Sequence, residues 1–135
     1  MTRAAPRNME RFFWICLAGA AGTGARYLVG LWAGERFGSS FPYGTLIVNV
    51  VGCFLMALVL HLALNVAAFS PNLRFGLATG FIGGLTTYSS FNYETTKLIR
   101  DGAWAAACLN FGIMTVACFA AGLLGLLLAQ RLLGA

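Results

Sequence analysis

Charge is what this 135-residue chain has least of: Asp, Glu, Lys and Arg make up 10% of it, against about 25% in an ordinary soluble domain. Apolar residues fill 59%, and the two figures together exclude a soluble globular fold. Acids are the scarcer sign, four against nine Lys and Arg, and there is one histidine. That histidine, His61, has no carboxylate or cysteine at ligand spacing, and no nucleophile has a base or metal cluster to serve it, which argues against an enzyme. The four cysteines, Cys16, Cys53, Cys108 and Cys118, lie in apolar stretches without a C-x-x-C or metal-ligand pattern. They read as small packing residues.

What is present is length for four membrane crossings. A bilayer core takes roughly 20 apolar residues per helix, and 59% of 135 residues is about 80, enough for four. Nothing remains for a catalytic or nucleotide-binding domain outside the membrane. The net charge of +5 would point to nucleic acid in a soluble protein. Here the basic residues stand singly at the ends of apolar runs, as interfacial residues do, so no nucleic-acid partner is expected and membrane lipid is. The expected fold class is all-α integral membrane, a single four-helix domain over residues 1–135, with spans at about 11–33, 45–67, 73–99 and 103–130. Pro42, tolerated at a helix start but not in an interior, separates the first loop from the second span. Short connectors at Gly38 to Gly44, Phe69 to Asn72 and Arg100 to Gly102 make consecutive helices antiparallel neighbours.

A signal peptide is the rival reading of the first span, because Arg3, Arg7 and Arg11 precede a short apolar stretch ending in Ala18, Gly19 and Ala20. The apolar pattern resumes after Arg26 with Tyr27, Leu28, Val29, Leu31 and Trp32, so the stretch is long enough to cross. With four spans, one side of the membrane carries Arg3, Arg7, Arg11, Arg74 and Arg131, and the other Arg26, Arg36, Lys97 and Arg100. Five against four gives the positive-inside rule almost nothing to act on. The sequence therefore permits insertion both ways, and with it an antiparallel two-fold dimer whose axis lies in the membrane plane. Seventeen glycines fit helices that pack backbone to backbone; Gly30 and Gly34, Gly76 and Gly80, and Gly80 and Gly84 have the G-x-x-x-G spacing.

The third span is unlike a lipid-facing helix. Gly83 and Gly84 make a poor helix interior, and Thr86, Thr87, Ser89, Ser90 and Asn92 follow them. A glycine pair before a hydroxyl run predicts a broken helix, tolerated at that depth only where it is buried in protein or lines a watery cavity. Carbonyls freed there can coordinate a cation, while the half-helix beyond attracts anions. Helical periodicity then sorts Thr87, Ser90 and Glu94 onto one stripe and Tyr88, Phe91 and Thr95 onto the next. Hydroxyl protons and ring edges together can solvate a dehydrated anion. The plainer alternative is that the hydroxyls bond their own backbone and the rings simply pack.

Four further residues have two readings each. Glu94 either belongs to an ion pathway or pairs with Lys97. Arg26 either concentrates anions at a pore mouth or reaches for the headgroups. The amides of Asn49, on a face with Thr45, Gly52 and Cys53, and of Asn110 need partners from a neighbouring helix or from a permeating ion.

GTGARYLVG in the first span, PYGTLIVNVVG entering the second and GFIGGLTTYSSFNYET in the third resemble the small four-helix fluoride channels called Fluc or CrcB, over nearly the whole chain. The resemblance implies a dual-topology antiparallel homodimer in the cell membrane, with two fluoride pores, a central structural sodium ion and passive export of fluoride that entered as the neutral acid. It implies that Gly83 and Thr86 offer backbone carbonyls to the sodium, that Asn49 and Phe91 line the pore, and that Ser90 and Glu94 fall on a polar track. Arg26 matches an arginine near the end of the first span. The chain departs from the family's pattern at Tyr88, where the first pore phenylalanine stands, at Asn110, where many relatives carry tyrosine, and at Met114, which replaces a hydroxyl one turn later.

Two other classes compete. A small dual-topology multidrug or cation transporter is also a near-balanced four-helix chain, but its proton-coupled exchange resembles a mechanism with a carboxylate inside the first span, and here none follows Glu10 in that span. A non-conducting scaffold subunit would have no need of the Thr87–Ser90 stripe.

Overall fold

The computed structural model describes residues 4–134; Arg3, counted above among the charges of one side, lies outside them. The regular elements among those residues are all helical. Helix α1 (Ala4–Phe37) has 34 residues and is about 51 Å long at 1.5 Å per residue, well beyond a hydrocarbon core of about 30 Å. It outruns the expected span at both ends, because Arg7, Glu10, Glu35 and Arg36 do not interrupt a helix once they stand outside the apolar layer. It stops where Gly38 turns left-handed at φ 78°, a conformation without the steric cost a side chain would bring.

Helix α2 (Tyr43–Asn65) begins directly after Pro42, and α6 (Trp104–Leu133) follows a second left-handed glycine, Gly102. These three helices are each long and apolar enough to cross a membrane. Between them the chain makes shorter pieces: α3 (Pro71–Phe75), a wider π-helical stretch (Gly76–Ile82), α4 (Gly83–Leu85) and α5 (Tyr88–Arg100). Ser70 starts α3 by accepting the Leu73 N–H at 3.2 Å, with Pro71 in the first turn, where its missing donor costs nothing.

The glycine pair does not mark the interruption. Gly83 and Gly84 stay helical, and the chain leaves the helix at Thr86 (φ −83°, ψ 153°) and Thr87 (φ −154°, ψ 110°). Gly84 serves packing instead, together with Gly80 one turn earlier. A Cβ on Gly84 would stand 2.6 Å from the Gly19 carbonyl, and one on Gly80 would stand 2.8 Å from the Ile15 carbonyl. Gly76, Gly80 and Gly84 thus form a smooth strip on which α1 lies, with Gly22 of α1 set directly on the Phe81 carbonyl. Gly34, by contrast, faces open space, as does Gly30, although a Cβ on Gly44 would stand 3.0 Å from the Gly30 Cα. Because the atom facing Gly22 is backbone, it cannot rotate away. Gly22→Ala is expected to lift α1 off the strip and destabilise the fold by about 1–3 kcal/mol, read as a lowered melting temperature in detergent.

Helix α1 packs against the π-helical stretch and α4, and α2 runs along α6. The interior is narrow and built of Ala33, Val48, Ile82, Leu85, Phe91 and Ala129. Outside it, Phe12, Phe13, Leu17, Val116 and Phe119 stand exposed, which water would not tolerate on this scale and lipid does. The chain is a multi-pass membrane protein.

Candidate functional site

A helix interrupted inside an apolar bundle frees backbone groups that must find other partners. In an unbroken helix the N–H groups of Thr87, Tyr88 and Ser90 would return to the carbonyls of Gly83, Gly84 and Thr86. Here Thr87 N–H donates to Asn49 Oδ1 at 2.7 Å, and Asn49 Nδ2 donates to the Thr87 carbonyl at 3.0 Å. One buried amide therefore satisfies both backbone groups of one residue, as a neighbouring strand would. The Gly84 carbonyl accepts from Arg26 Nε at 3.1 Å, which brings the Arg26 side chain to the break. Ser90 N–H donates to Thr87 Oγ1 at 3.2 Å, making Thr87 the N-cap of α5. Among the described residues, the carbonyls of Gly83 and Thr86 are left without a hydrogen bond across the break. Carbonyl oxygens released in this way are the ligand type a hard cation takes.

The hydroxyls continue from there. Thr87 Oγ1 donates to Ser90 Oγ at 3.0 Å and lies 3.1 Å from Ser89 Oγ. One turn on, Glu94 Oε1 accepts from Thr45 Oγ1 at 2.7 Å, while Oε2 is buried without a partner among the described residues. Lys97 is not its ion-pair partner: it sits 3.7 Å from Asp101, where both are exposed and the pair adds little.

The ring stripe is equally ordered. Tyr88 and Phe91 meet edge-on at 5.5 Å and 66°, and Phe91 lies 6.1 Å from Phe111. Phe91 is 4% exposed and Tyr88 76%, so the pair runs from the interior to an uncovered face. Asn110 is fully buried and joins this stripe, not the hydroxyl ladder: its Nδ2 donates to Thr95 Oγ1 at 2.8 Å, and its Oδ1 has no partner among the described residues.

Two open cavities flank the break. One, of about 300 Å³, is lined by Arg26, Thr45, Val48, Thr87 and Ser90. The other, of about 420 Å³, is lined by Asn49, Thr86, Tyr88, Phe91 and Met114 among others, and Thr87 borders both. The structure thus gathers Arg26, Asn49, Thr87 and Ser90 at the break, sets Glu94 one turn beyond, and holds Asn110 apart with Thr95. Sequence reasoning missed Thr45 as the Glu94 partner, although Thr45 shares a face with Asn49 one turn away. It also missed the Gly84 carbonyl as the acceptor for Arg26, for which no local signal exists across 58 residues.

The fold and site define a small multi-pass helical membrane protein that sets the buried Asn49 and Thr87 at one helix break. Residues 13–126 match the family described as CrcB-like protein, Camphor Resistance (CrcB), and the chain belongs to that family. It is 53% identical over 125 residues to the fluoride-specific ion channel FluC of Sorangium cellulosum, covering 93% of this chain and 98% of that one. It is 48% identical over 126 residues to the protein of the same name in Anaeromyxobacter dehalogenans, covering 93% and 100%. With the Citrifermentans bemidjiense protein, also so named, it shares 43% over 124 residues, 92% and 100%. The family is one of channels, not of enzymes.

Proposed function

We propose that this chain is a passive, fluoride-selective channel, working as an antiparallel homodimer in which residues 71–100 form the fourth, broken crossing. The observation that carries the reading is the Tyr88–Phe91 ring pair standing beside the Thr87–Ser90 hydroxyls at the break. Fluoride is small and strongly hydrated, so a pathway must replace its water with close donors. The Arg26 guanidinium raises anion concentration at the cavity it lines, the hydroxyls donate, and the positive ring edges complete the shell.

Three features support a second, inverted copy. Tyr88 leaves most of its ring uncovered, Glu94 Oε2 and Asn110 Oδ1 lack partners among the described residues, and basic residues divide five to four between the two sides. Two copies would complete two pores and bring together two sets of Gly83 and Thr86 carbonyls. A structural sodium held by those four oxygens would fix the two breaks against each other. The multidrug-transporter alternative finds no support, since α1 carries no acid between Glu10 and Glu35. Passive conduction makes the protein an exit for fluoride that entered as the neutral acid.

Purified protein in liposomes loaded with fluoride is expected to release it rapidly and electrogenically, with chloride retained. Absence of fluoride efflux, or equal release of chloride, would sink the proposal.

A further inference from the structure

The seam between α2 and α6 holds a cluster that the fluoride pathway leaves unexplained. Four sulfur-bearing side chains line the 420 Å³ cavity: Cys53 and Met56 from α2, Met114 and Cys118 from α6. Met114 Sδ lies 3.7 Å from Cys118 Sγ and 3.6 Å from Asn49 Nδ2. Cys53, Met56 and Cys118 also line the adjoining cavity of about 690 Å³ further along the seam. Cys53 and Cys118 face both cavities from opposite sides of the seam, and the Cys53 carbonyl comes within 3.9 Å of a Cβ position on Gly122, one turn from Cys118. Spacings of three on α2 and four on α6 turn each sulfur pair to one helix face. Both cysteines are free thiols.

Among the described residues no three His, Cys, Asp or Glu side chains gather; the cluster emerges only when methionine is counted as a ligand. Thiolates and thioethers select soft ions such as Cu(I) and, by the same softness, Ag(I), and offer little to hard ones. Charge balance points the same way. A monovalent cation with one thiolate and neutral thioethers forms a neutral unit, the form an apolar interior accepts at least cost. His61, about 12 Å further along α2 than Cys53, lines the adjoining cavity and is not part of the 420 Å³ one.

We infer that the α2–α6 seam is a binding site for a soft monovalent cation of the Cu(I) or Ag(I) class, held by Cys118 and Met114 with Cys53 and Met56 facing them. On binding, one thiol S–H ionises, a sulfur–metal bond replaces it and the proton passes to buffer, with no change of oxidation state. Because Asn49 and Phe91 line the same cavity, the bound ion blocks fluoride, a consequence that rests on the function proposed above.

The test uses silver nitrate in chloride-free buffer and the full chain carrying Cys16→Ala and Cys108→Ala, which removes the two exposed thiols. Calorimetric titration is expected to give one silver per chain with release of a proton. Adding Met56→Leu and Met114→Leu, which keeps volume and both thiols, is expected to weaken binding by roughly tenfold or more. No silver uptake, or undiminished affinity without the thioethers, would overturn the site, the latter showing isolated thiols at work. These readings need no fluoride, so they stand or fall apart from the channel function. Fluoride efflux from liposomes holding the same protein, with and without silver, then tests the block, and efflux that persists with silver bound would overturn it.

Discussion

Asn49→Ala is expected to abolish fluoride conduction and to lower stability by about 2–6 kcal/mol. The figure follows from the two backbone groups of Thr87 that Asn49 pairs; each, left buried without a partner, costs about 1–3 kcal/mol. Losing the amide also removes what keeps Thr87 extended, so its hydroxyl no longer caps α5 or aligns with Ser90. Thermal melting in detergent with gel filtration reads the first effect, and liposome efflux the second. Asn49→Asp separates the two halves of the interaction, since a carboxylate still accepts the Thr87 N–H but cannot donate to its carbonyl. An unchanged melting temperature in Asn49→Ala would show that the break stands without the amide.

Phe91→Ile is expected to bring fluoride efflux to the level of empty vesicles while leaving the protein folded and assembled. Isoleucine keeps most of the buried apolar volume at this 4%-exposed position, so the stability cost is roughly 1–2 kcal/mol. What disappears is the ring, and with it the edge facing Tyr88 at 5.5 Å and the partial positive charge an anion needs where water is excluded. Phe91→Tyr keeps the ring and is expected to conduct. Normal efflux from Phe91→Ile would remove the ring edge from the mechanism.

The site was legible where its signals are local. Thr87, Ser90 and Glu94 fall on one stripe by helical spacing alone, as do Tyr88 and Phe91, and the hydroxyl run after Gly83–Gly84 pointed to the right stretch of chain. The position of the interruption was not legible, because a glycine pair can mark either a weak helix or a close helix contact. Here the Gly19 carbonyl and Thr23, set against Gly84, make it the second. Lys97, three residues from Glu94, was the obvious ion-pair partner in sequence, yet Thr45, 49 residues away, holds the carboxylate. The cysteines read as packing residues because their spacing on one helix carries no pattern, and the soft-cation site proposed above draws on two helices and two methionines, a combination that spacing along one helix does not display.

By itself the sequence determined that this is a helical membrane protein, because a chain so poor in charge and so rich in apolar residues has no aqueous fold to adopt, and an apolar surround forces the backbone to pair internally. Its motifs also determined the family. Tertiary structure alone decided which polar groups meet: Asn49 with Thr87 across 38 residues, Thr45 with Glu94 across 49, and Arg26 with the Gly84 carbonyl across 58. Periodicity fixes the face on which a side chain stands, since that depends on its own helix. The partner it finds depends on how neighbouring helices slide and rotate, and glycine contacts between backbones set that register.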